Sequence, residues 1–124
     1  MSAAAAELLV VIVEDDAAIA EGLALNLKLQ GYRTEVAGDG ETAIDRIQEV
    51  HPDLVLLDIG LPDLDGYQVA TALRASLGAR VRLIALTGYG QPGDRERVRG
   101  AGFDAHLLKP VGLEAISRTV ASLG

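Results

Sequence analysis

Apolar residues fall in short continuous runs along this chain, and each run ends on a polar side chain. Leu8 to Val13 is bounded by acids, Leu54 to Leu57 stops at Asp58, and Val81 to Leu86, broken by Arg82, stops at Thr87. Such runs predict strands covered on both faces. Phe103 to Leu108, closed by Lys109-Pro110, is the last predicted strand. Tyr32 to Ala37 alternates polar and apolar instead, the pattern of an exposed edge strand. Between strands the period lengthens. Asp16 stands at a helix N-cap position, and Ile19, Leu23 and Leu27 recur at i+4 until Gly31 stops the helix. Gly38-Asp39-Gly40 makes a turn before a helix carrying Ala43, Ile44 and Ile47, which His51-Pro52 ends. The Gly60-Leu61-Pro62 turn leads to Asp65, a cap for a helix bearing Val69, Leu73 and Leu77. After a long turn at residues 88–93, the helix from Asp94 to about Gly100 is short, charged and poor in apolar residues, and is expected to be the least stable. Leu113, Ile116 and Val120 mark a final amphipathic helix.

Five strands alternating with five helices predict an α/β fold, a parallel sheet with helices on both faces and right-handed crossovers. The length of 124 residues suits one domain, which buries roughly two thirds of the surface its unfolded chain exposes. Residues 1–6 are expected to be a flexible N-terminus and residues 7–124 the folded domain. No repeat or linker interrupts it. The absence of cysteine excludes a disulfide framework and a thiol nucleophile. The apolar start lacks a basic segment and runs into Glu14-Asp15-Asp16, a pattern that does not suit a signal peptide or membrane span, so the expected setting is the cytoplasm without membrane insertion. A net charge of −7 repels phosphate backbones. Arg95, Arg97 and Arg99 alternate with an acid and read as a solvated face, so direct nucleic-acid binding is not expected.

The polar stops carry the chemistry. A parallel sheet delivers the carboxyl ends of its strands to one edge, so Glu14-Asp15, Asp58, Thr87 and Lys109 are expected to meet in one crevice. Burying three carboxylates uncompensated costs several kcal/mol, roughly 2–7 for a polar group and more for a charge. Lys109 supplies one positive charge. A small hard dication with oxygen ligands removes more of the penalty, and Mg²⁺ is commonly held by one or two carboxylates plus phosphate oxygens. Asp58 ends the central strand among these groups and is the expected nucleophile, since a carboxylate accepts a phosphoryl group to give an acyl phosphate. Phosphoryl transfer demands mainly positioning and charge neutralisation, which the metal, the Lys109 ammonium and the Thr87 hydroxyl provide. The Gly-rich stretch at residues 88–93 matches neither a dinucleotide nor a phosphate-loop spacing.

These residues also carry a family resemblance. Across nearly its full length the chain resembles a receiver domain of a bacterial two-component response regulator. The matching segments are Val-Glu-Asp-Asp at 13–16, Leu-Leu-Asp-Ile-Gly-Leu-Pro-Asp-Leu-Asp-Gly at 56–66, Leu-Thr-Gly at 86–88 and Leu-Leu-Lys-Pro at 107–110. Each is weak alone; all four in order and spacing are specific. The resemblance implies a doubly wound flavodoxin-like sheet of order 2-1-3-4-5. It implies Asp58 as phosphoacceptor, Mg²⁺ on Glu14, Asp15, Asp58 and the Gly60 carbonyl, with Asp15 ahead of Glu14 as direct ligand, Thr87 and Lys109 on the phosphoryl oxygens, and a cis Lys109-Pro110 peptide.

In such a family the phosphoryl group comes from a phosphohistidine on a sensor histidine kinase or histidine phosphotransfer domain, and a downstream protein target reads the result. The receiver catalyses only its own phosphorylation and dephosphorylation. Phosphorylation would draw Thr87 inward and repack the surface of the fourth helix, last strand and last helix. The chain departs from the family at the last strand, where His106 replaces the usual switching aromatic; Tyr89 is the candidate to share that task. His106 also reads as a partly packed surface histidine, and His51 as a helix-end residue beside Pro52. Asp16 is fully explained as a cap. A monomer or weak dimer is expected, either standing alone or belonging to a larger protein such as a hybrid kinase. Two other readings stay open: a small Mg²⁺-dependent phosphatase with Asp58 as transient nucleophile, although Gly60 occupies the general-acid position two residues on, and a receiver-like binding module that is never phosphorylated.

Overall fold

The structure is a computed structural model that describes residues 8–61, 63, 65–87, 99–108 and 112–123. Five strands, β1 (Leu9–Val13), β2 (Arg33–Ala37), β3 (Leu54–Asp58), β4 (Arg82–Thr87) and β5 (Ala105–Leu108), form one sheet of order β2-β1-β3-β4-β5. Every pairing is parallel. The helices among the described residues are α1 (Ala17–Leu29), α2 (Gly40–Val50), α3 (Gly66–Leu77) and α4 (Leu113–Leu123), with a single 3-10 turn at Gly78–Arg80. Of the expected helix at 94–100 only Arg99 and Gly100 are described, and both are helical.

Period-two alternation splits the core into two layers. Val11, Val13, Val55, Leu57, Leu83 and Ala85 face α2 and α3, where Ala43, Ile47, Val69, Ala70 and Leu73 complete one cluster. Val10, Ile12, Leu54, Leu56, Ile84 and Leu86 face the other way, onto Ala20, Leu23, Ala24 and Leu27 of α1 and Ile116 of α4. Because β1, β3 and β4 are covered on both sides, they read as continuous apolar runs, whereas edge strand β2 alternates. A buried Leu or Ile contributes roughly 1.5–3 kcal/mol relative to exposure, which makes these central strands the rigid base of the fold.

The helix ends follow local chemistry. Asp16 caps α1 by accepting the Ala18 and Ile19 N–H groups, and Asp65 caps α3 in a capping box with Gln68. Gly31 at φ 100° closes α1: its N–H donates to the Lys28 carbonyl and the Tyr32 N–H to the Leu27 carbonyl. Tyr32 is consumed by this cap, so β2 starts one residue later than the alternation predicts. Ile19 also departs from expectation. It is 43% exposed, because the buried stripe of α1 runs through Ala20, Leu23, Ala24 and Leu27 and leaves Ile19 on its flank.

β5 is shorter than the strand predicted at 103–108. Phe103 is buried ahead of the strand, edge-on to Tyr67 at 6.4 Å between ring centroids, and Asp104 is held by the guanidinium of Arg74. Arg74 donates to the carbonyls of Gly102 and Val81 and to Asp104 Oδ2, which also accepts the Leu83 N–H. One half-buried side chain thus joins α3 to the starts of β4 and β5. Arg74→Ala should cost about 2–3 kcal/mol, because it removes an ion pair and takes from the Gly102 and Val81 carbonyls the donor that now serves them. A urea midpoint lowered by less than a surface substitution lowers it would contradict that role.

Candidate functional site

The carboxyl ends of the strands converge as the topology requires. Glu14 and Asp15 follow β1 directly, Asp58 is the last residue of β3, and Thr87 is the last residue of β4. The register sets Asp58 beside Leu86 and Thr87 beside Leu108, so β3, β4 and β5 all end at this same edge. Lys109, its peptide with Pro110, and Tyr89 lie outside the described residues.

Glu14, Asp58 and Thr87 are the buried polar residues of the described chain, at 2%, 6% and 6% exposure, while Asp15 is open to solvent. One carboxylate oxygen from each of Glu14, Asp15 and Asp58 lies within 4.8 Å of the others. An octahedral dication with bonds of about 2.1 Å sets its ligand oxygens about 3 to 4 Å apart, so this trio stands at the scale of shared coordination. The donor set is all oxygen, which suits a hard ion.

Local bonds hold Glu14 and Asp58. The Glu14 N–H donates to the Ala37 carbonyl (3.1 Å), and Glu14 Oε1 accepts the Asp16 N–H (3.3 Å). Asp58 Oδ1 accepts the Gly60 N–H (3.0 Å), which folds the β3–α3 loop back over the strand end. Thr87 Oγ1 is buried with no hydrogen-bond partner among the described residues. An unsatisfied buried hydroxyl costs about 1–3 kcal/mol, and a polar atom arriving in the crevice would recover it.

His106 lies on β5 opposite Ala85 and is half-buried, with Leu107 packed against the α1 layer on the other face. His51 caps α2 in the left-handed region at φ 50°, its N–H donating to the Ile47 carbonyl, which agrees with a helix-end role. Of the three alternating arginines only Arg99 is described, and it is exposed.

Two residues near the site were not singled out by sequence reasoning. Gly66, the first residue of α3, lies so close to the chain behind Asp58 that a Cβ there would sit 2.5 Å from Ile59 Cα and 3.0 Å from the Asp58 carbonyl oxygen. The Asp63 carboxylate accepts the Gly40 and Glu41 N–H groups at the start of α2. Gly66 had a local signal, a glycine directly after the Asp65 cap; Asp63 had none, because its partners are more than twenty residues away.

Residues 10–121 match the family described as the response regulator receiver domain. The chain is 37% identical over 114 residues to Response regulator MprA of Mycolicibacterium vanbaalenii, covering 92% of this chain and 49% of that protein. It is 39% identical over 101 residues to the DNA-binding response regulator MtrA of Mycolicibacterium paratuberculosis, covering 82% and 44% respectively. The chain spans about half the length of these curated relatives. Among solved structures, a CheY-like response regulator receiver domain protein from Methanospirillum hungatei superposes with a TM-score of 0.85 at 28% identity, covering 93% of this chain and 91% of that one. Vibrio cholerae CheY4 shares the fold at a TM-score of 0.89 and 24% identity, covering 94% and 98%. With the sheet order, the acid trio and the matched segments in agreement, the chain belongs to the response regulator receiver domain family of two-component signalling.

Proposed function

We propose that this chain is a phosphorylation-activated switch, with residues 7–124 as the phosphoacceptor domain and Asp58 as the acceptor. The observation that carries the reading is the gathering of Glu14, Asp15 and Asp58 oxygens within 4.8 Å at the carboxyl edge of a parallel sheet. A carboxylate oxygen of Asp58 attacks the phosphorus of a phosphohistidine from a sensor kinase or phosphotransfer domain. The phosphorus–nitrogen bond breaks as the phosphorus–oxygen bond forms, and the electron pair leaves with the imidazole, giving an acyl phosphate. Mg²⁺, when bound, neutralises the carboxylates and the phosphoryl oxygens. Glu14 and Asp15 would hold it with Asp58 and the Gly60 carbonyl, and the Thr87 hydroxyl and Lys109 ammonium would bind the transferring oxygens.

The buried hydroxyl of Thr87 lacks a partner among the described residues and gains one when a phosphoryl group enters. Its movement biases the surface formed by the segment at 94–100 that the sequence predicts to be helical, β5 with His106, and α4, with Tyr89 sharing the task; a downstream protein reads that surface. No helix among the described residues is long and apolar enough to cross a membrane. The net charge of −7 disfavours direct nucleic-acid contact, and the reading sets the exchange in the cytoplasm, with the chain a monomer or weak dimer.

Beryllofluoride with Mg²⁺ tests this reading by amide NMR. Shifts centred on Asp15, Asp58 and Thr87 are the expected response, and an unchanged spectrum there refutes it. Thr87→Val gives a second check that separates stability from function. The near-isosteric change should leave stability within about 1 kcal/mol, while phosphorylation by acetyl phosphate slows about ten- to a hundredfold. Equal rates for the two proteins would remove Thr87 from the site.

A further inference from the structure

The loop that leaves Asp58 is tied to a helix that belongs to a different part of the fold. The Asp63 carboxylate accepts the Gly40 N–H through Oδ1 (2.8 Å) and the Glu41 N–H through Oδ2 (3.0 Å). These are the first two amides of α2, whose own cap, Asp39, accepts the third, from Thr42 (2.7 Å). A single N-cap suffices for most helices, with water serving the remaining exposed amides. The second acid therefore does more for the loop than for the helix.

The other described residues between β3 and α3 are held close to their own strand. The Gly60 N–H donates to Asp58 Oδ1, Leu61 is buried in the core, and the Ile59 carbonyl accepts the Gly66 N–H (2.9 Å). Asp63 adds an anchor on the β2–α2 turn, and Ala37 at the end of β2 in turn accepts the Glu14 N–H. The two sides of the acid crevice, Glu14 on one and Gly60 on the other, are thus referred to the same turn.

A carboxylate ligand can rotate to meet an ion, but a backbone carbonyl goes only where its loop puts it. Glycine has the widest backbone freedom of any residue, so Gly60 needs an external constraint. Mg²⁺ demands near-ideal octahedral geometry at about 2.0–2.1 Å and tolerates little displacement. We infer that Asp63 is a positioning residue for the Mg²⁺ site, holding the β3–α3 loop on the α2 N-terminus so that the Gly60 carbonyl and the Asp58 carboxylate face one ion. This inference rests on the reading of Asp58 and Gly60 as Mg²⁺ ligands.

Mg²⁺ titration followed by amide NMR, run on the unmodified chain and on Asp63→Ala, Asp63→Asn and Asp39→Ala, separates positioning from capping. Asp39→Ala removes a cap from the same helix without touching the loop. Asp63→Ala should raise the Mg²⁺ dissociation constant about tenfold, the lower end of what outer-shell partners show. Asp63→Asn, with one acceptor oxygen and no charge, should fall between, and Asp39→Ala should stay within about twofold of the unmodified chain. If Asp63→Ala proves unfolded by circular dichroism, Asp63→Asn carries the test with a roughly threefold or larger weakening expected. Equal Mg²⁺ affinity in the Asp63 and Asp39 variants overturns the inference while leaving Asp58 in place. A chain that shows no Mg²⁺-dependent shifts at Asp15, Asp58 or Gly60 even unmodified overturns the underlying reading instead.

Discussion

Asp58→Asn should gain no phosphoryl mass on incubation with acetyl phosphate and Mg²⁺, under conditions where the unmodified chain does. An amide oxygen is a far weaker nucleophile than a carboxylate, and the substituted side chain cannot form the acyl phosphate. The substitution is close to isosteric and keeps an oxygen for the Gly60 N–H, so the loop and strand end should survive and the thermal midpoint stay within a few degrees. Mg²⁺ affinity should drop about tenfold or more, since one of three clustered carboxylates is lost. Phosphoryl mass retained in full would move the acceptor elsewhere, with Asp15 the next carboxylate to test.

Gly66→Ala should cost a large share of the fold's stability for a single added methyl group. Its Cβ would meet backbone atoms, Ile59 Cα at 2.5 Å, the Asp58 carbonyl oxygen at 3.0 Å and Ile59 N at 3.2 Å, none of which can turn aside as a side chain does. Either α3 slides outward or the residue after Asp58 is pushed, and overpacking of this kind costs typically about 1–3 kcal/mol, offset only in part by the better helix propensity of alanine. A thermal midpoint lower by about 10 °C and slower phosphorylation are expected together, because the displaced backbone belongs to the acceptor strand. Gly22→Ala is the control. That glycine lies within α1 with nothing within 4 Å of a Cβ, so alanine there should stabilise by roughly 0.5–1 kcal/mol. Equal effects at the two positions would refute the close-approach explanation.

The fold was legible in the sequence wherever one short-range signal sufficed. Continuous apolar runs marked β1, β3 and β4 because helices cover both their faces, and Asp16, Asp65 and Gly31 marked helix ends because capping is a contact between near neighbours. The acid trio was legible because parallel topology brings strand ends together whatever the loops do. Features set by distant partners were not. The exposure of Ile19 depends on how α1 lies on the sheet, the late start of β5 on Arg74 gripping Asp104, and the roles of Gly66 and Asp63 on an approach between backbones and on a helix far along the chain.

Site mapping of the phosphoryl group tests the central claim most directly. The chain is incubated with acetyl phosphate and Mg²⁺, its intact mass is read, and the modified peptide is located after proteolysis, with a parallel sample in which a chelator removes the metal. The account predicts one phosphoryl group, on Asp58, and almost none with the chelator. A mass that never changes, a phosphoryl group on another residue, or equal modification with and without the metal would each contradict it.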